Sequence, residues 1–467
     1  MVNSNSKKFA KSSPFSSLFL LVVFCFFLLF AYQFSHQFFV HKYLTIKFNN
    51  TTLKQHQYQE EQVPAAQASV FDPCTGRYIY VYDLPDRFNF RIIQHCQNLS
   101  RTSDVCKHVT NSGLGPKLVD TSSTLPETGW YVTDQFMLEI IFHNSMKQYE
   151  CLTTDYSKST AVYIPYYIGL GIMQYLFGYS ASQRDALIND FLHWLRARPE
   201  WAARGGRDHF MVIGRVAWDF FRTTNESKRW GGKFLTLPEA KNMTLLFIET
   251  SNMHENEFGI PYPTYFHPSE KSQVVAWQEQ LRSKTRPWLF SFAGKRHPNG
   301  IATMRDLIMD QCANATRCNL HECGTGTQDC HSPSNILGLF MSSIFCLQPP
   351  GDSPTRKSTF DSMVAGCIPV FFHPGSAYKQ YYWYLPSNFN KYSVYIPEKA
   401  VLEGTVRIED VLLGYSDEQI NEMRENILAM IPTLVYKDPR NKSDDIRDAF
   451  DVTVDGVLRR IHSRNVL

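Results

Sequence analysis

The sequence predicts an α/β protein of two halves, each built on a largely parallel sheet. Three observations carry this reading. Beyond Pro73, short β-prone runs alternate with helical stretches. The alternation breaks at the proline- and aromatic-rich segment Gly259–Pro268 (GIPYPTYFHP), a linker or cleft wall, and then restarts. Finally, Ser343–His373 reads as strand, polar loop, helix and strand, which is one unit of a parallel sheet. At 467 residues the chain exceeds one ordinary core, so two domains with additions are expected.

The additions come first. Lys7, Lys8 and Lys11 precede an apolar run from Phe15 to Tyr32, and no small-residue cleavage site follows it. An uncleaved anchor with a cytosolic N-terminus is expected, in a thin membrane of the early secretory pathway. The polar, Gln-rich stretch to residue 73 reads as a stem. Asn-x-Ser/Thr sites at Asn49, Asn50, Asn98, Asn225, Asn242, Asn314 and Asn441 fit a luminal chain. So do the 11 cysteines, which leave an even number once Cys25 in the apolar run is set aside.

In the first half, strands are expected at Arg77–Leu84, Ser159–Tyr167, His209–Ile213 and Leu245–Ile248, with helices at Trp130–Tyr149 and Asp185–Arg196. Cys74, Cys96, Cys106 and Cys151 should make two disulfides, with three pairings open. In the second half, Trp288–Phe292 is a strand and Ile301–Asp310 a helix. Cys312, Cys318, Cys323 and Cys330 lack a Cys-x-x-Cys pair, so two disulfides are favoured over a zinc site with His321 and His331. Cys346 and Cys367 read as buried thiols in core strands. Tyr392–Ile396 is a strand, and Ser416 with Gln419 has capping-box spacing before a long helix. The last helix carries Ile446, Phe450, Val454, Val457, Leu458 and Ile461.

Function concentrates in Ser343–His373 (SIFCLQPPGDSPTRKSTFDSMVAGCIPVFFH). Its loop and helix start carry Ser353, Thr355, Arg356, Lys357, Ser358 and Thr359, with Asp361 one turn into the helix. Hydroxyls, cations and free N–H groups at a helix N-terminus suit a diphosphate, and a carboxylate one turn on suits a ribose. Lys295, Arg296 and His297 follow a strand of the same half and suit a second phosphate or acceptor contact. Asp134, Glu139, Asp208 and Asp219 are carboxylates that could serve as a general base. There is no Asp-x-Asp metal motif, no Gly-x-Ser-x-Gly elbow, no Walker loop and no Gly-x-Gly-x-x-Gly. A net charge of +3 with interleaved signs excludes a nucleic-acid-binding stripe.

The runs CTGRYIYVYDLPDRFN, GWYVTDQFMLEIIF, STAVYIPYY, FSFAGKRHP, FCLQPPGDSPTRKSTFDSMVAGCIPVFFHPGSAY and DAFDV together resemble the exostosin-type glycosyltransferases of plants, in particular the xyloglucan galactosyltransferase subgroup. The resemblance implies a GT-B architecture, two Rossmann-like domains facing across a cleft. It implies inverting, metal-independent transfer in the Golgi, with UDP-galactose or a related nucleotide sugar as donor, xyloglucan as acceptor and no other cofactor. The expected layout is a tail at 1–14, an anchor at 15–32, a stem at 33–73, an acceptor domain at 74–265, a nucleotide-sugar domain at 266–440 and a C-terminal helix at 441–467. Asp361 matches the family's ribose-binding acid, and Glu139 and Asp208 match acidic positions of distant relatives. Many relatives outside the subgroup carry Arg three residues before the acid. Here that position is Ser358, preceded by Arg356 and Lys357. Alternatives are another donor such as arabinose or galacturonate, a xylan or pectin acceptor, or a silent scaffold in a Golgi synthase complex.

Overall fold

The computed structural model describes residues 72–119, 124–296, 303–324, 330, 332–442 and 445–465. The expected tail, anchor and most of the stem, with Cys25, Asn49 and Asn50, lie outside them, as do His297 and His331. Among the described residues no helix is long and apolar enough to cross a membrane.

Two parallel sheets form the frame. The first contains β1 (Ile79–Val81), β2 (Leu152–Thr153), β3 (Ala161–Tyr163), β4 (His209–Val216), β5 (Thr244–Glu249) and β6 (Glu257–Gly259), in the order β2-β1-β3-β4-β5-β6. The second contains β7 (Trp288–Gly294), β8 (Cys318–Glu322), β9 (Ser343–Gln348), β10 (Ile368–Phe371) and β11 (Val394–Tyr395), in the order β11-β10-β9-β7-β8. Central strands such as β5 (TLLFIE) are buried along their whole length. Helices cover both faces of such sheets, which is why these runs are continuous rather than alternating.

The expected 130–149 helix shrinks to Leu138–Met146. Trp130 instead bridges to Phe266, and its ring packs 4.8 Å from those of both Phe266 and Trp277. Tertiary packing there overrides helix propensity. The cysteine-rich insert contains β8, and the short strands β2 and β6 were not anticipated either. The helix expected from Ile301 runs over Met304–Asn314, capped by Thr303. Capping boxes fix the helix starts at Ser180 and Ser416, the latter as read from the sequence.

Ten cysteines are paired: Cys74–Cys151, Cys96–Cys106, Cys312–Cys318, Cys323–Cys330 and Cys346–Cys367. The last pair corrects the expectation of free thiols. Cys346 stands opposite Pro369 in the parallel β9–β10 register, and Cys367 is two residues before that proline. Their Cα atoms are 5.9 Å apart, which a disulfide spans.

Two apolar clusters among the described residues each run through both halves. The last helix, Ala449–Asn465, returns to the first half. There Phe450 meets Phe142 at 4.8 Å, Asp455 pairs with Arg77 at 3.0 Å, and Arg464 donates to the Asn242 carbonyl at 2.9 Å.

Candidate active site

The unit read as functional in the sequence forms as expected. β9 ends at Gln348, a loop follows, the helix Lys357–Val364 starts, and Gly366 turns the chain into β10 with φ +66°. A Cβ there would strain the left-handed backbone. The loop lies at the carboxyl ends of β9 and β10, where parallel sheets bind ligands.

Arg356 lies flat over Gly351. A Cβ at Gly351 would sit 0.9 Å from its Nη2, so only glycine leaves room for the guanidinium. Its Nε donates to the Pro349 carbonyl at 3.3 Å. Its Nη2 is buried without a partner among the described residues, and so is Nε2 of Gln348, whose Oε1 accepts from Ser358 Oγ at 2.6 Å. Two unmet buried donors at one strand end call for an acceptor-rich ligand. Beside them a cavity of about 430 Å³ opens between Pro350–Pro354, Thr303–Arg305, His373 and Glu398. The positive charge of Arg305 bears on Arg356 from across this space.

Lys357 and Asp361, one turn apart, form a buried ion pair. Nζ reaches both carboxylate oxygens, at 2.8 and 2.7 Å, and lies 3.1 Å from the centre of the Tyr265 ring. Burial lowers the lysine's pKa and raises the aspartate's, and the mutual attraction opposes both. A carboxylate has about four lone-pair sites, so Asp361 keeps acceptor capacity beyond Lys357.

The first half closes the site with a residue not singled out in the sequence. Glu249, the last residue of β5, is fully buried. It accepts from Ser353 Oγ at 2.8 Å and from the Thr355 amide at 3.5 Å. Burial pushes its carboxyl up to about 7, against the pull of these bonds, of Arg356 and of the Tyr262 hydroxyl. Tyr262 and Tyr265 both come from Gly259–Pro268, which therefore forms a wall of the site. Only the final acidic position of an apolar strand marked Glu249 in the sequence.

Glu139 stands at the same edge of the first sheet. It accepts from the amides of Gly169 at 2.7 Å and Leu170 at 3.1 Å, with Gly214 adding a third. Burial pushes its carboxyl up to about 8 despite those bonds and nearby Arg215. Asp134 is only half-buried. It caps the Phe136 amide at 2.9 Å, and its charge bears on Lys357 and Tyr265.

The structure does not bring Asp208 to this group. It precedes β4 and therefore lies at the opposite end of the sheet, roughly 20 Å along the strand from Arg215. There it accepts from Arg204 at 3.3 Å and Tyr156 at 3.2 Å, and it pairs with His209 at 2.7 Å. Arg296 is also engaged elsewhere, with Asp310 at 2.8 Å and Glu322 at 3.3 Å. Lys295 contributes its carbonyl, which accepts from Arg305 at 3.3 Å.

Two parallel sheets, with a polar loop at the carboxyl ends of β9 and β10 that meets the end of β5, define an α/β protein of two halves, and its likeness to known proteins gives the family. The Exostosin GT47 domain model matches residues 73–412, and the chain belongs to that family. It is 50% identical over 390 residues to xyloglucan galactosyltransferase MUR3 of Arabidopsis thaliana, covering 84% of this chain and 63% of that protein. It thus spans less than two thirds of that relative's length. It is 46% identical over 397 residues to the probable xyloglucan galactosyltransferase GT12 of the same plant, covering 84% and 77%. With xyloglucan galactosyltransferase XLT2, also of that plant, it shares 41% over 392 residues, covering 83% and 75%. Among solved structures it aligns with a glycosyltransferase from Rickettsia africae ESF-5 at 9% identity and TM-score 0.31, covering 83% of this chain and 97% of that one.

Proposed function

We propose that the chain is an inverting glycosyltransferase of GT-B type, moving galactose from UDP-galactose to xylose side chains of xyloglucan. The observation that carries the donor site is the pair of unmet buried donors, Arg356 Nη2 and Gln348 Nε2, beside a cavity lined by Thr303–Arg305 and the Pro350–Pro354 loop. This set suits the diphosphate without a metal, since fixed donors stabilise a leaving anion. Asp361, oriented by Lys357, takes the ribose hydroxyls. The names of the relatives support the sugar and the acceptor.

In the reaction the acceptor hydroxyl oxygen bonds to the anomeric carbon from the face opposite the diphosphate. The bond from that carbon to the phosphate oxygen breaks, UDP leaves, and the hydroxyl proton passes to a carboxylate. Glu139, Glu249 and Asp361 are buried and tied. Asp134 is half-buried and its charge bears on Lys357 and Tyr265, and we assign it the proton. Glu139 then holds the 168–170 turn, and Asp208 braces the far end of β4. The protein acts as a single-pass type II Golgi membrane enzyme with its catalytic part luminal, and other wall glycosyltransferases are its expected partners.

The test is transfer from UDP-galactose to xyloglucan oligosaccharide by Asp361→Ala and Arg356→Ala proteins, with a panel of UDP-sugars on the wild type. Undiminished transfer by folded variants overturns the site. Preference for a different donor overturns the sugar.

A further inference from the structure

A pair of aromatic rings lies exposed on the first half. Phe177 is 70% exposed and Trp230 is 44% exposed, and their rings meet edge to face at 5.0 Å. Single exposed aromatics need no explanation, but contiguous ones mark contact surfaces. Three features separate this pair from incidental exposure.

The first is fixation. The Trp230 indole N–H donates to Asp219 Oδ1 at 2.7 Å, and Asp219 Oδ2 holds Arg215 Nε at 2.5 Å. The second is anchoring of the loop that carries Trp230. Buried Arg184 donates to the carbonyls of Arg229 and Ser227, both at 2.6 Å, and buried Arg222 donates to that of Gly231 at 2.9 Å. Two desolvated guanidinium groups thus hold rigid a loop whose own side chains are mostly exposed. The third is position. Asp219 directly follows β4, so Trp230, bonded to it, and Phe177, packed on Trp230, stand at the carboxyl end of the sheet that also bears Glu249. Arg215 and Glu139 both press on Gly169, whose Cβ would lie 2.9 and 2.8 Å from them, so contacts run unbroken from the indole to Glu139.

We propose that Phe177 and Trp230 form a subsite for the β-linked glucan backbone of the acceptor polysaccharide, stacking on the C–H faces of its pyranose rings. The proposal rests on the reading of the chain as a transferase to such a polysaccharide. Glucopyranose rings present apolar faces rimmed by hydroxyls, and rigid flat rings with polar edges match them at small entropic cost.

The experiment is retardation of the full-length, detergent-solubilised protein in native gels containing xyloglucan, which needs no donor. It is run beside transfer assays and UDP titration. Wild type should be retarded, and Trp230→Ala and Phe177→Ala should weaken that binding roughly three- to tenfold each. UDP affinity should stay unchanged, and Trp230→Phe should retain most of the binding. The Asn225 sequon lies on the same loop, so the series is repeated in an Asn225→Gln background to clear any glycan from the rings. Equal retardation of wild type and both alanine variants, or none of wild type, overturns the subsite. A wild type that is retarded but transfers no sugar supports the subsite and overturns the transferase reading.

Discussion

Glu249 makes a prediction whose sign and size follow from its burial. Its carboxyl ordinarily titrates at 4.5 and is pushed up to about 7 in the folded protein. Between those values the folded state holds a proton that the unfolded chain has lost. Raising the pH through that window therefore removes stability, about 3 kcal/mol once the pH exceeds 7. Glu249→Gln has no such titration. The variant should match wild type near pH 4.5 and exceed it progressively, by about 3 kcal/mol above pH 7. For a folded part of roughly 400 residues this is about 4 °C in melting temperature. The assay is thermal melting of both proteins from pH 4.5 to 8, with transfer measured alongside. Transfer measured at pH 8, where wild-type Glu249 is ionised, should fall roughly tenfold, because the bonds from Ser353 and Thr355 lose their charge assistance. A stability difference that does not change with pH refutes the reasoning.

Three further outcomes are expected. Gly351→Ala should displace the Arg356 guanidinium, which is flexible, so melting should stay near wild type while the KM for donor rises at least tenfold. Lys357→Ala should cost about 3–5 kcal/mol by leaving Asp361 buried without its counter-charge; Lys357→Met with Asp361→Asn should recover melting but not UDP binding by titration. Replacing Cys346 and Cys367 together by alanine opens a loop with a sequence separation of 21. It should lower stability by about 3 kcal/mol in denaturant titration.

The β9–loop–helix–β10 unit was legible because its signals are local: apolar runs, a Pro-Gly stop and Gly366. Ser353, Thr355, Arg356, Lys357 and Asp361 fall inside that unit and follow from its local signals. Glu249, Tyr262 and Tyr265 were not, since they meet that unit across some hundred residues of chain and spacing carries no such information. Trp130–Tyr149 runs long as a helix because Trp130, which packs on Phe266 and Trp277 instead, carries no local signal that separates it from the helix beginning at Leu138. Asp208 sits beside a strand, as ligand-binding residues often do, but at its beginning. Sequence alone does not say which end of a strand faces the cleft until its neighbours are known to be parallel. Cys346 and Cys367 read as core residues, which they are, and their pairing depended on a register that periodicity does not supply.

The return of the last helix to the first half bears on how the chain is made. Synthesis finishes the first sheet early, but the place that Phe450 fills beside Phe142 stays open until residues 449–465 emerge. Apolar surface left open during synthesis is where nascent chains aggregate or recruit chaperones. A chain terminated before residue 449 would leave that surface bare permanently, even with every residue of the donor loop present. The surface beside Phe142 therefore closes only after both sheets have been synthesised, although bonds such as Ser353 to Glu249 can join the halves before that.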